Sequence, residues 1–222
     1  MKINAIILGA TGMVGEGVLH IALRSDDVSS VLVIGRRPCG VTHPKLREIL
    51  HPNLFDITPI KDQLRGYTAC YFCLGVSSLG KSEEEYRRTT YDLTMHIASV
   101  LAPANPDMTF CYVSGSGTDE TEQGRLRWAR VKGKTENDLR TLPFKQTYAF
   151  RPGFIKPMAG MKNTMSFAKP LGTLYPLLRF LMPSFVCTLE DLGKAMIAVT
   201  LRSYPKPVLE NIDITAAAAQ HY

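Results

Sequence analysis

The sequence predicts an α/β fold in which a doubly wound parallel sheet carries helices on both faces. Three observations predict it: short runs rich in β-branched and apolar residues, longer amphipathic stretches between them, and a glycine-rich turn directly after the first run. Strands that read as near-continuous apolar runs are those buried on both faces, the mark of a parallel sheet built from βαβ units.

Strands are expected at Ile3 to Leu8, Val31 to Ile34, Ala69 to Leu74, Thr109 to Val113 and Thr147 to Phe150, with a weaker one at Leu46 to Ile49. Helices are expected at Val14 to Arg24, Glu83 to Leu101, Leu126 to Leu142 and Leu189 to Leu201. In the last of these, Leu192, Met196 and Val199 fall on one face, and Thr188 with Asp191 three residues on reads as an N-cap. From Lys156 to Val186 the rhythm gives way to Met, Pro, Phe and Leu with little periodicity, read as a small C-terminal substrate-side lobe within one domain spanning residues 1–222. Ala216 to Tyr222 reads as a frayed tail.

A chain of 222 residues buries roughly 70% of its unfolded surface. Its 45% apolar and 21% charged content is that of a globular protein and argues against disordered, fibrous or membrane-embedded classes. The net charge of +6 is spread along the chain, which suits a solvated basic surface or a small phosphate-bearing ligand; no nucleic acid partner is expected. Cys70 and Cys73 form the only closely spaced cysteine pair, and in a strand they face opposite sides, so no metal site is expected. Reduced thiols, together with an opening that leaves no room for a secretory signal, predict a cytoplasmic protein. The apolar stretch Leu171 to Val186 is broken by Pro176, Arg179 and Pro183, so no transmembrane segment is expected; the chain reads as a monomer or homodimer.

Gly9-Ala10-Thr11-Gly12-Met13-Val14-Gly15 lies between the first strand and the first helix. Small residues there let the backbone turn tightly and approach a pyrophosphate, while the helix amino terminus offers unpaired N–H groups and a favourable dipole: the Rossmann dinucleotide-binding arrangement. An acidic residue about 20 positions onward would favour NAD. Here the second strand ends in Gly35-Arg36-Arg37, and two guanidinium groups suit a 2′-phosphate, so NADP(H) is expected over NAD(H).

With these residues the chain resembles the short-chain dehydrogenase/reductase superfamily, in its extended and atypical branch of NAD(P)-binding epimerase-like, NmrA-like and TIP-thirty-like proteins. The resemblance runs through Phe72-Cys73-Leu74-Gly75, Tyr112-Val113-Ser114-Gly115-Ser116, Val131-Lys132 and Arg151-Pro152-Gly153-Phe154-Ile155. It implies that Asp56 sits near the adenine amino group, that Cys73, Leu74, Gly75 and Val76 line the adenosine ribose, and that Arg151 to Ile155, including Pro152, Gly153 and Phe154, passes under the nicotinamide carboxamide. Asp56 has a second reading, as the cap of Ile57 to Leu64.

The resemblance also implies a catalytic lysine at Lys132, a serine at Ser114 or Ser116, and a tyrosine four residues before the lysine on the same helix face. That position holds Trp128. An indole N–H donates a hydrogen bond but releases no proton near neutral pH, so it cannot serve as the acid or base that a phenol supplies. Tyr112 and Tyr148 lie in expected strands and Tyr91 on another helix. Two functions follow: an NADPH-dependent oxidoreductase or epimerase-like enzyme acting on a small carbonyl compound, or a catalytically weak NADPH-binding sensor read by a protein partner.

Overall fold

A computed structural model describes residues 2–163, 181–182 and 184–220. Seven parallel strands form one sheet in the order β3-β2-β1-β4-β5-β6-β9: β1 is Ile3–Leu8, β2 Val28–Gly35, β3 Leu46–Leu50, β4 Ala69–Phe72, β5 Thr109–Val113, β6 Gln146–Arg151 and β9 Val208–Glu210. The two short strands β7 (Phe154–Lys156) and β8 (Val186–Thr188) pair with each other in parallel. The doubly wound sheet read from the sequence is the one observed. Strand order reverses between β1 and β4, which opens a crevice beyond their carboxyl ends, the place where such sheets take ligands.

One face is covered by α1 (Met13–Arg24), α5 (Leu189–Arg202) and α6 (Asn211–Ala219), whose Val18, Leu19, Leu192, Met196 and Ile214 pack on Ala5, Ile7, Val31 and Tyr71. On the other face, α3 (Leu93–Ala104), α4 (Arg127–Leu139) and the turn Thr58–Leu64 bury Ile97, Leu101, Leu139 and Leu64 on Ile6, Leu8, Leu32 and Phe72. Cys70 and Cys73 lie on opposite faces, since Cys70 belongs to the second cluster and Cys73 packs on the first.

The expected helix Glu83 to Leu101 is three pieces. The short α2 (Glu83–Arg87) starts at a capping box, Ser82 accepting from the Glu85 N–H while the Glu85 carboxylate accepts from the Ser82 N–H. A wide turn, Arg88–Asp92, then leads into α3. The frayed tail is corrected: residues 216–219 close α6, because Ala217 and Ala218 are buried in the core. Most of the expected lobe, including Met165, Phe167, Pro176 and Arg179, lies outside the described residues.

α4 is fastened to β6 by a buried ion pair. Arg151 donates from Nε to Glu136 Oε1 at 3.1 Å and from Nη2 to Oε2 at 2.6 Å, with Glu120 at 3.5 Å and Glu210 at 3.4 Å around the same guanidinium. Arg151→Leu leaves the Glu136 carboxylate buried without its fork of donors, and denaturant unfolding should show a loss of about 3 to 5 kcal/mol. Adding Glu136→Leu should recover much of it; a double variant no better than the single would remove this account.

Candidate functional site

The three glycines of the first turn do different work. Gly9 has φ +88°, and a Cβ on it would stand 2.7 Å from the backbone of Cys73. A Cβ on Gly15 would stand 2.1 Å from Gly9 O, so α1 can leave the sheet at this angle only with glycine at both places. Gly12 differs: its φ is −105°, and its Cβ would meet nothing nearer than Gly9 O at 3.5 Å. The protein itself does not require glycine at 12. As the N-cap of α1 it carries no side-chain cap, so the N–H groups of the first turn face outward beside it.

That outward space is a cavity of about 360 Å³ beyond the carboxyl ends of β1 and β4. Of the residues expected from the sequence, Gly9, Thr11, Gly12, Arg36, Cys73, Leu74, Gly75 and Val76 line it. Burial pushes the Cys73 thiol up to about 12, so it presents a neutral surface. An adjoining cleft of about 50 Å³ at the end of β2 is lined by Gly35, Arg36 and Arg37. Both arginines are exposed, and neither guanidinium has a hydrogen bond or ion pair among the described residues. Met13 and Val14 pack on the core, while Gly15 lies beneath Gly9.

Asp56 lies outside both linings. Its carboxylate accepts from the Thr58 N–H at 3.0 Å; the Thr58 hydroxyl and this N–H together hold its pKa below the usual range, and His96 stands 4.0 Å away. Its neighbours Asn53, Leu54 and Phe55 supply the wall, with the Arg88 guanidinium 5.1 Å from the centre of the Phe55 ring. Thr89 and Leu93, four residues apart across the wide turn, form the far side.

The expected catalytic residues gather at the ends of β5 and β6. The Lys132 ammonium donates to Ser114 O. A Cβ on Gly115 would be 3.8 Å from Lys132 Nζ and 3.9 Å from Pro152 O, and Ser116 N–H donates to Pro152 O at 2.9 Å. Burial lowers the Lys132 pKa to about 8, against an opposing pull from Glu136. The two serines separate here: the Ser114 hydroxyl donates back to Phe150 O at 3.1 Å, whereas that of Ser116 has no partner among the described residues. The Trp128 ring lies over the serine loop, 3.5 Å from where a Gly117 Cβ would stand. Arg151 is committed to Glu136, and Gly153 and Phe154 meet the backbone of Phe185. Ile155 is buried in the core.

The other phenols are held elsewhere. Tyr112 is fully buried, and desolvation raises its pKa far above the usual range; Tyr148 donates to Tyr204 O at 3.2 Å. Tyr91 donates to Asp138, which raises its pKa. Gly133 was not foreseen: a Cβ there would stand 1.7 Å from Asp119 O, so this glycine lets the serine loop press on α4 beside Lys132. Its place directly after Lys132 was the available signal.

No family model matches the chain. It is 26% identical over 208 residues to "Protein FMP52, mitochondrial" of Debaryomyces hansenii, covering 91% of this chain and 88% of that protein. Its structure resembles the Bordetella bronchiseptica enzyme WbmG in complex with NAD, with TM-score 0.69, 12% identity and coverage of 100% of this chain and 78% of that one. It also resembles UDP-N-acetylglucosamine 4-epimerase from Methanobrevibacter ruminantium M1, with TM-score 0.63, 14% identity and coverage of 94% and 76%. The resemblance to the extended short-chain dehydrogenase/reductase branch therefore holds at the level of the fold. The cytoplasmic location expected from the cysteines is corrected, because the relative is named mitochondrial; reduced thiols do not distinguish the two compartments. Among the described residues no helix is long and apolar enough to cross a membrane.

Proposed function

We propose that this chain is a mitochondrial NADP-dependent reductase of the short-chain dehydrogenase type, one dinucleotide-binding domain acting on a small carbonyl compound. The observation that carries the reading is Gly12, whose missing side chain faces a cavity rather than the protein, at the bare amino terminus of a helix. A diphosphate fits that cradle, and Arg36 and Arg37 fit a 2′-phosphate at the end of β2. When bound, the dinucleotide supplies a hydride to a carbonyl carbon. Lys132 would hold the nicotinamide ribose and Ser116 would orient the substrate oxygen. Names of similar proteins support the class: WbmG is described in complex with NAD, and another structural neighbour, at 14% identity, is a glucuronic acid dehydrogenase.

Thermal shift tests the cofactor. NADPH is expected to raise Tm well beyond NADH, since a ligand that binds only the native state stabilises it. Arg36→Ala with Arg37→Ala should remove about 1.5 to 3 kcal/mol of that preference per charged contact. Equal stabilisation of the unmodified protein by the two dinucleotides would leave NADP preference without support.

One observation favours the second reading, a dinucleotide-binding sensor. Trp128 occupies the tyrosine position, and Tyr91, Tyr112 and Tyr148 are committed elsewhere. Sustained NADPH oxidation with a panel of aldehydes, ketones and quinones decides for the reductase; saturable NADPH binding without turnover decides for the sensor.

A further inference from the structure

A second cavity, about 220 Å³, lies between the loop after β4 and the loop that leads into α4. Tyr86 and Trp128 are its aromatic walls, Ser78 lines it, and Lys81, Arg125 and Arg127 stand around it. One helical path serves both cavities: Tyr86 lines the second, and Thr89 and Leu93, further along it, line the first. Its wall Trp128 connects it to the lysine–serine cluster, being one helical turn before Lys132 with its ring 3.5 Å from where a Gly117 Cβ would stand.

The charge around this cavity is one-sided. Its carboxylate, Glu83, is paired with Arg130 at 3.0 Å. Lys81, Arg125 and Arg127 are exposed, and none makes a hydrogen bond or ion pair with its side chain among the described residues. The nearby Glu85 has its carboxylate taken by the Ser82 N–H. Three cations held around one concave, partly apolar site focus their field into it and raise the local concentration of anions.

We propose that this cavity binds the anionic group of the substrate, so that the preferred carbonyl compounds carry a carboxylate or a phosphate held by Lys81, Arg125 and Arg127 beside the Trp128 ring. The inference rests on the reductase reading for the word substrate, while the anion site itself can be tested without turnover.

Trp128 is the only tryptophan, so the indole emission comes from a wall of this cavity. The probes are 4-carboxybenzaldehyde against its methyl ester, and glyceraldehyde 3-phosphate against glyceraldehyde, each titrated with and without NADPH. One or both anions should change the emission saturably, with affinity falling as salt is added, and the two pairs separate a carboxylate from a phosphate preference. Lys81→Gln with Arg127→Gln should weaken anion binding at least about 10-fold per charge removed and leave the neutral partners unchanged. In NADPH oxidation the same variant should raise KM for the anion and spare kcat. Neutral and anionic probes that behave alike overturn the proposal. So does a response confined to phosphatidylserine vesicles, which would make this a membrane contact. Anion binding without any NADPH oxidation instead overturns the reductase reading and leaves the anion site standing.

Discussion

Trp128→Tyr is expected to raise NADPH-dependent carbonyl reduction by about 100-fold to 10,000-fold, the contribution of one well-placed acid or base. The surroundings for a phenol are already built. Position 128 is one helical turn from Lys132, whose ammonium is fixed on Ser114 O, and the residue there already reaches across the serine loop at Gly117. A nearby cation lowers a phenol pKa towards a useful range, so the tyrosine could give its proton to the carbonyl oxygen as the carbon receives the hydride. Trp128→Phe is the control, since it trims the indole without adding a proton. The gain should appear with Tyr, be absent with Phe, and vanish when Lys132→Ala is added. Activity in the unmodified protein that Tyr does not raise would mean that the proton comes from elsewhere, with the unpartnered Ser116 hydroxyl the next group to examine. Equal gains from Tyr and Phe would mean only that a bulky ring had been blocking the site.

Gly12→Val is expected to weaken dinucleotide binding by at least about 100-fold, or about 2.8 kcal/mol, while the protein stays folded. Valine at an N-cap costs about 1 kcal/mol, and the extended backbone at position 12 accepts it without strain. Gly15→Val is the contrast, because its added carbons collide with Gly9 O and the fold should fail with the binding. Titration of NADPH with each variant, beside a melting curve, separates the two outcomes. Normal NADPH affinity in Gly12→Val would place the dinucleotide somewhere other than this cavity.

The contrast between Gly12 and its neighbours marks where sequence reading stops. The motif spacing located the turn, and the apolar runs Ile3–Leu8 and Thr109–Val113 became strands with those bounds because they are buried on both faces. That Gly9 and Gly15 are pressed against the protein's own backbone while Gly12 is not could not be read from the spacing, since it depends on Cys73 arriving from β4 beneath Gly9. For the same reason Asn53, Leu54 and Phe55 were missed: they form a loop with no pattern of its own, put in place by the elements around it. The strand β9 has three residues after Pro207 and earns its edge position only through the register of Ala149 with Val208. Glu136 and Arg151 lie 15 residues apart on different elements, and nothing in the chain announces that they meet. Asp56 shows the reverse, because its local cap to Thr58, one of the two readings open at the outset, is the contact it makes.

Glu16 ties the first helix to a distant part of the chain. Its buried carboxylate accepts from the N–H groups of Lys162 and Asn163, both at 2.8 Å. Burial alone would push its pKa up, but those bonds and His20 outweigh it and hold the pKa below the ordinary carboxylate value. The tie is therefore present above the ordinary carboxylate range and is lost as pH falls through the depressed value. Because Glu16 belongs to the same opening turns of α1 that border the cavity, order at its two ends is thermodynamically reciprocal. A ligand that steadies the start of α1 steadies residues 162–163 by the same factor that those residues lend to the ligand. Under the proposed dinucleotide reading, substitutions around position 162, remote from the glycine turn in sequence, are expected to act on dinucleotide affinity without touching the dinucleotide.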